Sequence, residues 1–308
     1  MRTETDIVVD HLTKRFGSVT AVDDLSFTVR PGAVTGFLGP NGAGKTTTLR
    51  MLLGLVRPTS GAALIGGRRY EDIERPASVV GAALEASSFH PGRSGLDHLR
   101  VYAPQIGVSD ARWHEMLELV GLADSAKRRV GGYSMGMRQR LGLAYALLGD
   151  PDVILLDEPA NGLDPQGIVW LRRLLRIFAD EGRTVLVSSH VLSEVQHTVD
   201  DVVIIAQGRL VHASSLDGLR ALAETRVRLA GPDEERLAGL AAEHGWRVER
   251  VDGGLDVFGV SAAQIGAAAF AAGVELHQLA DVGVGLEDVF LRLTSSPDAP
   301  ASRGGVAA

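Results

Sequence analysis

Gly39-Pro40-Asn41-Gly42-Ala43-Gly44-Lys45-Thr46 decides how this chain folds. It lies between Ala33-Val34-Thr35-Gly36-Phe37-Leu38, an apolar run that reads as a short buried strand, and Lys45 to Leu53, where apolar residues recur at helical spacing. Strand, glycine-rich loop and helix in that order form a cradle for phosphate. Gly39, Gly42 and Gly44 open backbone dihedrals closed to other residues, so successive N–H groups turn inward on an anion at a helix N-terminus. Lys45 adds a positive charge for the outer phosphates, and Thr46 offers a hydroxyl to magnesium.

Further along, Val153-Ile154-Leu155-Leu156 reads as a buried parallel strand, and Asp157 and Glu158 stand at its C-terminal end, where open α/β sheets place ligands. Asp157 is suited to hold magnesium through water, and Glu158, one residue further out, to orient or deprotonate an attacking water. Either carboxylate alone could be a helix cap before Pro159; both together beside a complete phosphate loop point to hydrolysis. Just ahead of that strand, Tyr133-Ser134-Met135-Gly136-Met137 opens a helix that continues through Arg138-Gln139-Arg140-Leu141. Ser134 supplies a hydroxyl, Gly136 permits close backbone approach, and the helix start directs free N–H groups outward.

With these three segments in place, residues 4 to about 220 closely resemble the ATP-binding subunit of ABC transporters. The resemblance implies that Ser134, Gly136 and Met137 cap the γ-phosphate of ATP held by an opposite subunit. Met137 departs from the family's usual Gln, so one side-chain hydrogen bond is missing. Asn161-Gly162-Leu163-Asp164 resembles the loop that crosses the dimer interface, and Asp164 also suits the N-cap of a helix starting near Pro165. His190, after the apolar strand Thr184 to Val187, resembles the switch histidine at the γ-phosphate. Phe16 precedes Gly39 by 23 residues, which fits the aromatic that stacks on adenine in this family, with plain core packing as the alternative. The whole loop, Gly39, Pro40, Asn41, Gly42, Ala43, Gly44, Lys45, Thr46 and the adjoining Thr47, is implied in ATP binding. Lys45, Glu158 and His190 are implied in catalysis, and Thr46, Asp157 and Glu85 around magnesium. Glu85 replaces the family's usual Gln after the strand Val79 to Leu84 and would meet both the metal and the membrane subunit; a solvated surface glutamate is the alternative. The run Glu85-Ala86-Ser87-Ser88-Phe89-His90-Pro91 resembles the bacitracin and lantibiotic resistance branch.

The 308 residues are 45% hydrophobic, with no cysteine and a net charge of −7. That balance argues for a packed core, against disulfides or thiolate metal sites, and against broad nucleic-acid binding. No window approaches the roughly eighteen consecutive apolar residues of a membrane span, and the N-terminus lacks a signal-peptide layout. The expectation is a cytoplasmic protein held at the inner membrane face through a separate permease.

The fold expected is α/β: a P-loop ABC ATPase with a RecA-like core, an antiparallel β subdomain and a helical arm, followed by a small α+β domain. The boundaries are 1–215 for the ATPase, 216–224 for a linker helix, 225–294 for the accessory domain and 295–308 for a disordered tail. Ile7 to Val9, Leu25 to Val29 and Ala62 to Ile65 are the antiparallel strands, and Leu96 to Leu122 is helical in pattern, with Trp113, Met116, Leu117 and Val120 on one face. Val202 to Ala206 and Arg209 to His212 flank a Gln207-Gly208 turn, and Ser214 to Ala223 reads as a capped helix. Beyond Thr225 the order βαββαβ, ending in a strand over Val274 to Leu279, is the ferredoxin-like pattern. A closing helix places Leu286, Val289, Phe290 and Leu293 on one face. Function follows as ATP hydrolysis by a homodimer that drives a permease exporting a compound. A soluble ABC ATPase of translation or DNA repair is the alternative, although the two cassettes or long coiled-coil insertion usual there are absent.

Overall fold

The structure is a computed structural model that describes residues 4–84, 89–223, 225–282 and 285–295. Glu85 and the tail beyond Ser295 lie outside the described residues. The chain divides into two compact units, the first running through Leu216 and the second spanning Asp217–Arg292.

In the first unit six strands come together in one sheet. Val80–Ala83, Val153–Asp157, Thr184–Ser189, Val34–Leu38 and Asp201–Ala206 lie side by side in parallel, and Arg209–Ser215 closes the edge antiparallel to its neighbour. Val34–Leu38, Val153–Asp157 and Thr184–Ser189 are buried along their whole length, as strands covered on both faces must be. The longer strands Ile7–Phe16 and Val19–Val29 alternate buried and exposed positions and pair with Ser60–Ile65 in a three-stranded antiparallel sheet. One apolar core joins the two sheets: Ile7, Leu25 and Phe27 pack with Phe37, Leu155 and Leu186, the Phe27 and Phe37 rings 5.2 Å apart.

The helical pattern over 96–122 resolves into two helices, Gly95–Ile106 and Asp110–Leu119. Gly107 takes φ 81° and ends the first, the left-handed C-terminal stop that favours glycine. Trp113, Met116 and Leu117 are buried on the second, as their spacing requires. The helix expected from Ser214 is shorter, Leu216–Ala221, because Ser214 and Ser215 remain paired with Val202 and Asp201. Gln207 and Gly208 have φ 51° and 80°, the paired left-handed residues of a tight hairpin.

The second unit is a four-stranded antiparallel sheet ordered Arg247–Val251, Gly254–Phe258, Arg226–Ala230, Gln278–Asp281. Val227, Leu229, Leu237, Leu255, Val257 and Ile265 form its core, so helices Glu234–Glu243 and Ala262–Ala271 share one face in the ferredoxin-like arrangement. Its last strand is Gln278–Asp281 rather than Val274 to Leu279; Val274 and Leu276 instead pack beside the core. Among the described residues no helix is long and apolar enough to cross a membrane.

Candidate functional site

The phosphate loop follows Val34–Leu38 at the C-terminal edge of the parallel sheet. Gly42 and Gly44 have φ 81° and 103°, conformations that side-chain-bearing residues rarely adopt. At Gly44 space forbids a side chain as well, since a Cβ would lie 2.5 Å from the Ala21 carbonyl oxygen. Helix Lys45–Leu52 leaves the loop with its first N–H groups toward it. The Lys45 side chain is 6% exposed and folds back: Nζ donates to the Gly39 carbonyl at 2.7 Å and lies 3.4 Å from Glu158 Oε1.

Parallel register levels the strand ends, so that Asp157 lies opposite Ser188 and Leu38 opposite Ser189. Two contacts result. Thr46 Oγ1 donates to Asp157 Oδ2 at 2.6 Å, and His190 Nδ1 lies 2.9 Å from Glu158 Oε2. Lys45, Thr46, Asp157, Glu158 and His190 are therefore one connected site. Hydroxyl and carboxylate oxygens, hard donors beside a phosphate loop, suit magnesium. Thr46 and Asp157 are the residues that would hold the ion against the phosphates. Glu85 lies outside the described residues.

Phe16 ends its strand 49% exposed, which removes core packing as its role, and Lys14 Nζ stands 4.7 Å from the ring centre. An exposed aromatic face is what a base stacks on. Ser134 caps helix Met135–Ala146, its hydroxyl accepting from the Met137 N–H at 3.2 Å. Gly136 abuts the Asn161–Asp164 loop so closely that a Cβ would meet the Gly162 carbonyl oxygen at 2.7 Å. Asp164 caps helix Pro165–Asp180, accepting from the Gly167 N–H at 2.8 Å. Pro40, Asn41, Ala43 and Thr47 accompany the loop. Ser134, Gly136 and Met137 thus open this helix beside the Asn161–Asp164 loop.

Two further residues hold this site together without belonging to any of its sequence motifs. Ser188 is fully buried; its Oγ donates to Asp157 Oδ1 and accepts from the Glu158 N–H. Gln139 Nε2 donates to the Glu158 carbonyl at 3.3 Å. The polar end of an otherwise apolar strand was the available signal for Ser188; nothing local marks Gln139.

Beside the strand Val80–Ala83 opens a cavity of about 350 Å³ lined by Leu84, Phe89, His98, Tyr102 and Tyr145 among others. Its rings stack edge to face, Phe89 to His98 at 4.7 Å and Tyr102 to Tyr145 at 4.9 Å. Burial, aided by the Arg93 charge, lowers the His98 pKa to about 4.

The model of the ABC transporter family matches residues 22–161, and a domain of unknown function matches residues 225–287. The chain is 41% identical to the bacitracin transport ATP-binding protein of Bacillus licheniformis, over 78% of this chain and 79% of that one. It is 38% identical to the lantibiotic transport ATP-binding protein of Streptococcus pyogenes, over 70% and 93%. Along 94% of its length it is 37% identical to a Nod factor export ATP-binding protein of Paraburkholderia xenovorans, of which it covers 97%. A solved ATP-binding subunit of an ABC transporter superposes with a TM-score of 0.64 at 28% identity, covering 71% of this chain and 92% of that chain.

Proposed function

The chain belongs to the ATP-binding subunits of ABC transporters, and from that premise we propose that two copies enclose two ATP molecules, hydrolyse them, and drive a separate permease exporting a peptide antibiotic. The observation that carries this reading is the convergence of Lys45, Thr46, Asp157, Glu158 and His190 at one edge of the sheet. Lys45 and the loop amides bind the outer phosphates. Thr46 and Asp157 would hold magnesium, which would neutralise phosphate charge. The Glu158 carboxylate orients water and takes its proton as the water oxygen bonds to the γ-phosphorus and the bond to ADP breaks. His190 holds the carboxylate through Oε2. Each copy's Ser134 and Gly136 complete the other copy's site.

The bacitracin and lantibiotic transport relatives support the substrate class. The aromatic cavity beside Leu84 supports permease docking there, next to the segment expected to meet the membrane subunit. These relatives favour transport over a soluble ATPase of translation or repair. Glu158→Gln tests the site: hydrolysis falls by about 10² to 10⁴, while ATP binding persists and ATP with magnesium traps a dimer on size exclusion. Hydrolysis at the wild-type rate would remove Glu158 from its assigned role. Reconstitution with the permease tests the substrate: bacitracin or a lantibiotic raises ATPase activity, and failure of both counts against peptide export.

A further inference from the structure

Glu158 is held in the left-handed region, φ 49°, which a residue with a side chain adopts only when its surroundings enforce it. This backbone sends the carboxylate to both partners, Oε1 3.4 Å from Lys45 Nζ and Oε2 2.9 Å from His190 Nδ1. The enforcing contacts come from two directions. On one side the Glu158 N–H donates to Ser188 Oγ at 3.0 Å. On the other, its carbonyl accepts from Gln139 Nε2 at 3.3 Å and from the Asn161 N–H at 3.2 Å.

The two side chains arise from different elements. Ser188 comes from the neighbouring parallel strand, with its hydroxyl proton committed to Asp157 Oδ1, which leaves its oxygen to accept. Gln139 lies on helix Met135–Ala146, whose start carries Ser134 and Gly136. That helix also presses on the following loop at Gly162.

We propose that Ser188 and Gln139 are positioning residues for hydrolysis: together they hold the Glu158 backbone in the left-handed conformation that aims its carboxylate at the water. The proposal rests on Glu158 being the water-activating group. Its consequence is mechanical. The helix presenting Ser134 and Gly136 to one ATP is bonded to the carboxylate-bearing residue that acts on the other, so seating that helix also sets Glu158.

The test uses the full-length protein with Gln139→Met, which keeps length and loses the donor at a half-buried position, and Ser188→Ala. Each is made in the wild-type and Glu158→Gln backgrounds, with single-turnover hydrolysis and ATP binding measured. Misplacing a catalytic group by about an ångström costs on the order of 10²-fold. Each single variant is expected to lower the hydrolysis rate about 10-fold or more, leave ATP affinity within about threefold, and cause no further loss once Glu158 is Gln. Wild-type rates in both variants would overturn the proposal, as would the same fold loss in the Glu158→Gln background. Wild-type hydrolysis by Glu158→Gln alone would defeat the assignment of Glu158 itself, a separate result.

Discussion

His98 is 6% exposed and surrounded by Phe89, Tyr102 and Tyr145. Desolvation, with the Arg93 charge second, lowers its pKa from 6.5 to about 4, so the ring stays neutral in the fold while the unfolded chain protonates. A depressed folded pKa means full stability above the unfolded value and progressive loss as pH falls through the interval between the two. The melting temperature of wild type should therefore drop more than that of His98→Phe between pH 6.5 and about 4. Parallel melting curves across that window would show that His98 contributes nothing to acid sensitivity. Phe16 is the matching case: its spacing leaves adenine stacking and core packing both open, and its 49% exposure argues against the core. Burial depends on which residues from elsewhere cover a ring, and no local pattern records that.

Elements show where short-range signals suffice and where they fail. Gly107 splits the helical arm through its own left-handed backbone, φ 81°, whereas the apolar spacing on either side reads as continuous. In the second unit, Asp256 is 1% exposed on an otherwise apolar strand. Arg228 clasps it with Nε at 2.7 Å and Nη2 at 2.9 Å, and Arg226 lies 3.3 Å away. These bonds, Arg228 first, hold the Asp256 carboxyl below 3.8 despite its burial. The stabilisation is present above that value and is lost as pH falls beneath it. Asp256→Asn should accelerate hydrogen exchange across residues 226–258 at neutral pH and remove the acid-side acceleration expected of wild type. Equal exchange at neutral pH would mean the clasp leaves the sheet's stability unchanged.

At the scale of the whole molecule, the proposed assembly predicts complementation. Ser134→Arg blocks what a chain offers its partner, and Lys45→Ala blocks what it does for its own ATP. Each variant alone should be inactive, and mixing them should restore one complete site per mixed dimer and up to about half of wild-type activity in that dimer, if its single intact site fires independently. No recovery in a verified mixed dimer would count against independent complementary sites. The sequence alone determined the strand, loop and helix around Gly39 to Thr46, the Asp157-Glu158 pair and the βαββαβ order, because glycine freedom, apolar periodicity and turn chemistry act within a few residues. Tertiary structure alone decided that Asp157 faces Ser188 and Thr46, that Glu158 reaches His190, and that Gln139 grips the Glu158 carbonyl. Those contacts depend on the register of parallel strands joined by crossovers and on a helix packed against them, which sets residues 19 to 111 positions apart within hydrogen-bond distance.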